Sequence, residues 1–115
     1  MQQVINLDYL KEVTGGEAEV MREFILLFLD QIPEFKNGLP ELLNQKKYKE
    51  LGELAHKAKA SVMTFGMNDL GLRLKQLQLK TQKLEAIDSY NDDVTNFIEV
   101  ITQAEKDLHE KLSKY

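Results

Sequence analysis

His56 and Lys59 are the residues whose types and spacing can do phosphoryl chemistry, within the run Leu54-Ala-His-Lys-Ala-Lys-Ala-Ser-Val-Met-Thr-Phe-Gly66. An imidazole titrates near neutrality, and its neutral form carries a free lone pair on one ring nitrogen. That nitrogen can accept a phosphoryl group without a general base. Negative charge on the phosphoryl oxygens in the transition state is stabilised by a nearby ammonium group. Lys59 lies one helical turn past His56 and has a flexible stem to reach those oxygens. Lys57 is nearer in sequence but points differently. The ring also needs a hydrogen bond to its other nitrogen to fix its orientation. A histidine with a lysine one turn later is common on exposed helices, so the surrounding pattern must decide.

That run reads as the second half of a helix from about Tyr48 to Phe65, stopped by Gly66. At ~100° per residue, Leu51, Leu54, Ala55, Ala58, Val62 and Phe65 fall on one side and form the core face. His56 lies on the opposite side, with Lys59, Ala60 and Met63 around it, so it is expected in solvent, with Met63 exposed beside it. Ser61 turns back toward the core arc, where packing or a backbone hydrogen bond is its expected use. Gly66 can take the left-handed conformation that other residues resist.

The remaining elements follow from the same periodicity. Asn6 can cap a short first helix carrying Leu7, Leu10 and Val13, which Gly15-Gly16 stops. A second helix begins near Glu17, with acidic residues in its first turn, where the helix dipole favours them. Its apolar stripe reads Val20, Met21, Phe24, Leu27, Phe28 and Ile32. Pro33 and Pro40 then remove backbone donors, yet Phe35, Leu39, Leu42 and Leu43 keep the phase. A kinked helix continuing to about Asn44 is therefore expected over a break. Gln45-Lys46-Lys47 is a turn. A fourth helix from about Asn68 carries Leu70, Leu74, Leu77, Thr81 and Leu84. The run Asp88-Ser-Tyr-Asn-Asp-Asp reads as a polar connection. A last helix shows Val94, Phe97, Ile98, Ile101, Leu108 and Leu112, and His109 reads as solvated surface. No segment alternates with period two. The expected fold is all-α: an antiparallel up-down four-helix bundle with an additional short N-terminal helix, in a single domain over residues 1–115.

Composition narrows the function. The 115 residues suffice for one core, and a net charge of −4 gives no basic surplus for nucleic acid. With no cysteine, there are no disulfides, thiolate metal sites or cysteine nucleophiles, which fits the cytosol. The start Met-Gln-Gln-Val-Ile-Asn-Leu-Asp lacks the basic region and apolar run of a signal peptide. The longest apolar cluster, Phe24 to Leu29, is too short to span a bilayer.

The pattern around His56 resembles a histidine-containing phosphotransfer domain, the relay module of two-component phosphorelays. That family carries a His, often a Lys beside it, Lys three residues on, Gly four on, Ser five on and Gly ten on. This chain has His56, Lys57, Lys59, Ala60, Ser61 and Gly66. Ala60 departs from the pattern but stays small. The family also favours Glu or Gln twenty-two residues past the His, where Gln78 stands. Leu7-Asp-Tyr-Leu with Gly15-Gly16, and Phe24 to Leu29 followed by Ile32-Pro33-Glu34, resemble the family's opening and second helix. The resemblance spans essentially the whole chain.

It implies a phosphoryl carrier with no kinase activity and no cofactor of its own. His56 would accept a phosphoryl group from a receiver-domain phosphoaspartate and pass it to another receiver aspartate. Lys59 would stabilise the phosphoryl charge, and Gln78 would orient the imidazole. Nε2 would be the phosphorylated nitrogen, with Nδ1–H donating to Gln78. Lys57, Ala60 and Met63 would meet the partner, and Gly66 would be structural. The partner, a receiver of a response regulator or hybrid histidine kinase, would supply Mg²⁺. The chain would act as a cytoplasmic monomer.

Two other classes compete. Glu53 to His56 matches the Glu-x-x-His of a di-metal bundle, but that site needs a second such pair and further carboxylates pointing inward. Glu105 stands four residues before His109, not three, and His56 points outward. The other rival is a docking or inhibitory helical module for a receiver or kinase, without phosphoryl transfer. The joint presence of His56, Lys59 and Gln78 disfavours it.

Overall fold

A computed structural model describes residues 4–115. The part of the leader reading that rests on Met1–Gln3 lies outside the described residues. Among the described residues the chain is all-helical, with five α-helices: α1 Asp8–Thr14, α2 Ala18–Asn44, α3 Tyr48–Thr64, α4 Asn68–Lys83 and α5 Tyr90–Leu112. A 3-10 turn, Ile87–Ser89, precedes α5. No strand and no helix long and apolar enough to cross a membrane occurs among them.

α2 runs unbroken through Pro33 and Pro40. A proline inside a helix forfeits one backbone bond and crowds the preceding turn. Here the apolar phase outweighs that cost, because Ile25, Phe28, Ile32, Phe35 and Leu39 are all buried on both sides of Pro33. The covered stripe is not quite the expected one. Phe24 is 37% and Leu27 55% exposed. Their α3 neighbours in a shared groove are Ala60, Ser61 and Thr64, whose short side chains do not close over them.

Other expectations need similar correction. Val13 and Leu84 are exposed: the first lies in the last turn of the short α1, and the second occupies a left-handed cap position past α4 (φ 54°). The expected polar connection from Asp88 is instead the end of the 3-10 turn followed by the start of α5, and Tyr90, the first residue of α5, is fully buried. Its hydroxyl donates to the carbonyl of Glu85 at 2.7 Å and lies 3.0 Å from that of Lys80. A single aromatic thus supplies a donor to the Glu85 carbonyl just past α4, while the Lys80 carbonyl already accepts the Glu85 N–H at 3.0 Å. Burial, with Tyr48, Glu85 and Asp93 adding to it, pushes the Tyr90 phenol above its ordinary value of 10.0.

The cross-helix partners follow a regular order. Along α3, Gly52, His56 and Met63 meet Thr81, Gln78 and Gly71 of α4, so the partner's number falls as the α3 number rises. Toward α2, Leu54, Lys57, Ser61 and Phe65 meet Gly38, Glu34, Gln31 and Phe28, again descending. Phe35 packs edge-on to Phe97 of α5, and Lys36 pairs with Glu105 at 2.6 Å. Asp93 of α5 receives Arg73 at 3.0 Å and Lys80 at 2.7 Å from α4. All five helices contribute to one hydrophobic cluster.

The turn after α3 is fixed by Gly66, with φ at +78°. Its N–H donates to the Met63 carbonyl, and the Met67 N–H reaches back to Val62, both at 3.0 Å. This is the paired-bond helix stop that a left-handed glycine allows. Glycine is required a second time, because a Cβ here would lie 2.6 Å from both Cβ and the carbonyl oxygen of Asn6. The Asn6 N–H donates to the Phe65 carbonyl at 3.0 Å, while its side-chain oxygen accepts from the Asp8 N–H at 2.9 Å. Leu7 rather than Asn6 holds the N-cap position and no side chain caps the helix there, while the bonds of Asn6 seat the segment before α1 against the α3–α4 turn.

Candidate functional site

His56 stands at the middle of α3 with its side chain exposed, as its wheel position requires. The ring is held: Nδ1 lies 3.1 Å from Oε1 of the half-buried Gln78 on α4. An amide oxygen can only accept, so the hydrogen in this bond belongs to Nδ1. A neutral ring with its proton on Nδ1 has its lone pair on Nε2. The bond thus selects one tautomer and leaves the distal nitrogen as the nucleophilic atom.

Lys59 is half-buried and makes no hydrogen bond or ion pair among the described residues. Its ammonium group is therefore not committed to a carboxylate of this chain. Lys57 is committed: its Nζ lies 2.6 and 2.9 Å from the two carboxylate oxygens of Glu34 on α2. The two lysines differ because they leave α3 on opposite sides, Lys57 toward α2 and Lys59 away from it.

The other sequence candidates divide. Ala60 is exposed one turn past His56, beside Phe24 and Leu27. Met63 is half-buried rather than exposed, because the missing side chain of Gly71 lets it lie against α4. Ser61 bonds to a side chain and not to the backbone, its hydroxyl donating to Gln31 of α2 at 2.9 Å. Gly66 lies at the end of α3, away from the ring, and acts through the turn. Glu53 and His56 are both exposed, contrary to the inward geometry of a di-metal bundle. Among the described residues, no group of three or more His, Cys, Asp or Glu could hold a metal ion.

The periodicity reading placed Thr81 in the stripe of the fourth helix but gave it no role, and it did not single out Glu34, Gln31 or Gly52. Gly52 carried a usable signal: a glycine one turn before His56, inside a long helix, is unfavourable unless something needs the space. The exposure of Phe24 and Leu27 had no such signal, since both fit an apolar stripe. Comparison of the chain with models of protein families, with curated proteins and with solved structures found no match.

Proposed function

We propose that this chain is a phosphorelay carrier in which His56 receives a phosphoryl group from a receiver-domain phosphoaspartate and returns it to the aspartate of another receiver. The observation that carries this reading is the 3.1 Å contact from His56 Nδ1 to Gln78 on an otherwise exposed ring. It is what a reversible imidazole nucleophile needs: one nitrogen oriented and protonated, the other free.

The step balances without a base. Nε2 attacks the phosphorus in line, and the N–P bond forms as the P–O bond to the aspartate breaks. The carboxylate leaves as an anion. Nδ1 keeps its proton, and the positive ring that results strengthens the bond to Gln78. Lys59 offsets charge on the phosphoryl oxygens. The receiver supplies Mg²⁺. Reversal of the same steps delivers the group to the next receiver.

The arrangement that supports this is an antiparallel four-helix bundle of α2 to α5, with α1 across one end. The descending order of contact partners between neighbouring helices favours it. The docking face is the exposed side of α3 together with Phe24 and Leu27 of α2. Apolar groups flanking a reactive side chain, with the small Ala60 between them, suit a partner that must approach closely and exclude water.

Phosphoryl transfer from a panel of labelled phospho-receivers to wild type and His56→Ala tests the proposal. Acid-labile, base-stable label on wild type alone is the expected result. A folded wild type that binds a receiver but takes no label from any of them overturns it in favour of a docking module that only binds.

A further inference from the structure

Gln78 reaches the ring only because α3 and α4 approach closely at that level, and the approach has an identifiable cause. Gly52 lies one turn before His56 and is fully covered, as is Thr81, one turn past Gln78. A Cβ placed on Gly52 would overlap the Thr81 hydroxyl and lie 3.3 Å from Thr81 Cβ and 3.6 Å from the Gln78 carbonyl oxygen. That hydroxyl cannot swing away freely, because it donates to the Gln78 carbonyl at 2.7 Å and its side chain is β-branched. Glycine in the middle of a helix is unfavourable, and here the backbone has no positive φ to demand it. What the position requires is the absence of a side chain.

We propose that Gly52 and Thr81 form the spacer that sets the α3–α4 separation at which Gln78 can hold the His56 ring. Both are positioning residues: neither touches the imidazole, and they act through Gln78. The inference rests on the phosphotransfer reading for its purpose, but not for its geometry. A methyl group at Gly52 moves α4 outward by roughly 1 Å to relieve the overlap. A 3.1 Å bond lengthened by that much is no longer a hydrogen bond. The ring then loses its preference for the Nδ1–H tautomer.

The test is two-bond ¹H–¹⁵N NMR of the His56 ring at a pH where it is neutral, on the full chain. Wild type is expected to show the proton on Nδ1, and Gln78→Ala gives the signature of an unheld ring. Gly52→Ala should resemble Gln78→Ala. Gly52→Ala/Thr81→Ala, in which the new methyl takes the place of the deleted hydroxyl, should return to the wild-type tautomer. Gly38→Ala is the control. There the added Cβ would lie 2.6 Å from the terminal methyl of Leu54, a looser clash with a flexible side-chain end in the α2–α3 contact with no route to Gln78, so the tautomer should stay unchanged.

A folded Gly52→Ala with the wild-type tautomer overturns the proposal, as does a double variant that stays unheld. Should Gly52→Ala fail to fold, restoration of folding and tautomer by Thr81→Ala supports the spacer, and failure to restore them overturns it. Transfer assays separate this from the parent reading. If wild type takes up label, Gly52→Ala is expected to be slower by about tenfold. If no protein takes up label while the tautomers behave as stated, the spacer stands and the phosphotransfer reading falls.

Discussion

On its α4 side, α3 is packed through missing side chains: Gly52 against Thr81, and Met63 against Gly71. On its α2 side it is joined largely by long polar reach, Lys57 to Glu34 and Ser61 to Gln31, with Phe28 stacked on Phe65 at 4.5 Å. The glycine on that side, Gly38, meets only the flexible end of Leu54. The α4 side therefore fixes a distance, and the only hydrogen bond to the imidazole comes from it among the described residues. The α2 side tolerates adjustment and leaves Phe24 and Leu27 partly uncovered. One flank orients the His56 ring, and the other leaves apolar surface uncovered.

The comparison breaks most visibly where α4 is anchored. Tyr90→Phe should cost about 1–2 kcal/mol, through loss of the hydroxyl's bond to the Glu85 carbonyl, read from urea melts near neutral pH. Its pH dependence has a definite sign. The folded state holds the Tyr90 proton more tightly than the unfolded chain, so this contribution is fully present below the ordinary value of 10.0. It is lost as pH rises through the higher folded value. Melts at pH 8 and pH 11 should show an alkaline loss in wild type that is smaller in Tyr90→Phe.

A smaller effect, confined to function, is expected from Gln78→Leu. Phosphoryl transfer should slow by about tenfold, with thermal stability little changed, because Gln78 is only half-buried and holds a ring rather than a core. Equal rates for the two proteins would remove the distinction between the flanks. Leu27→Ser should do the reverse of a core variant: stability within about 0.5 kcal/mol, and receiver affinity weaker by about fivefold in a titration. Smallest is Glu34→Gln, which breaks an exposed ion pair and should change stability by about 0.2–1 kcal/mol, less at high salt. A larger loss would mean that the α2 side is as rigid as the α4 side.

Much of this protein was legible in its sequence. The limits of α2 and the start of α4, the persistence of α2 through two prolines, the stop at Gly66 and the outward direction of His56 follow from periodicity and backbone preference, which act over one or two turns. The His56–Gln78 pair was legible only through resemblance. Twenty-two residues of separation carry no local signal, and whether the two side chains meet depends on how near α4 lies.

Tertiary structure alone decided which members of an apolar stripe are covered. Phe24, Leu27 and Phe28 share one stripe by spacing, yet only Phe28 has an aromatic neighbour in Phe65, while the others face Ala60, Ser61 and Thr64. It also decided that Tyr90 is core, that Lys57 is committed to Glu34, and that Gly52 is the point where two helices nearly touch. Local pattern fixes the direction in which a side chain leaves its helix. What it meets there depends on the size and distance of residues far along the chain.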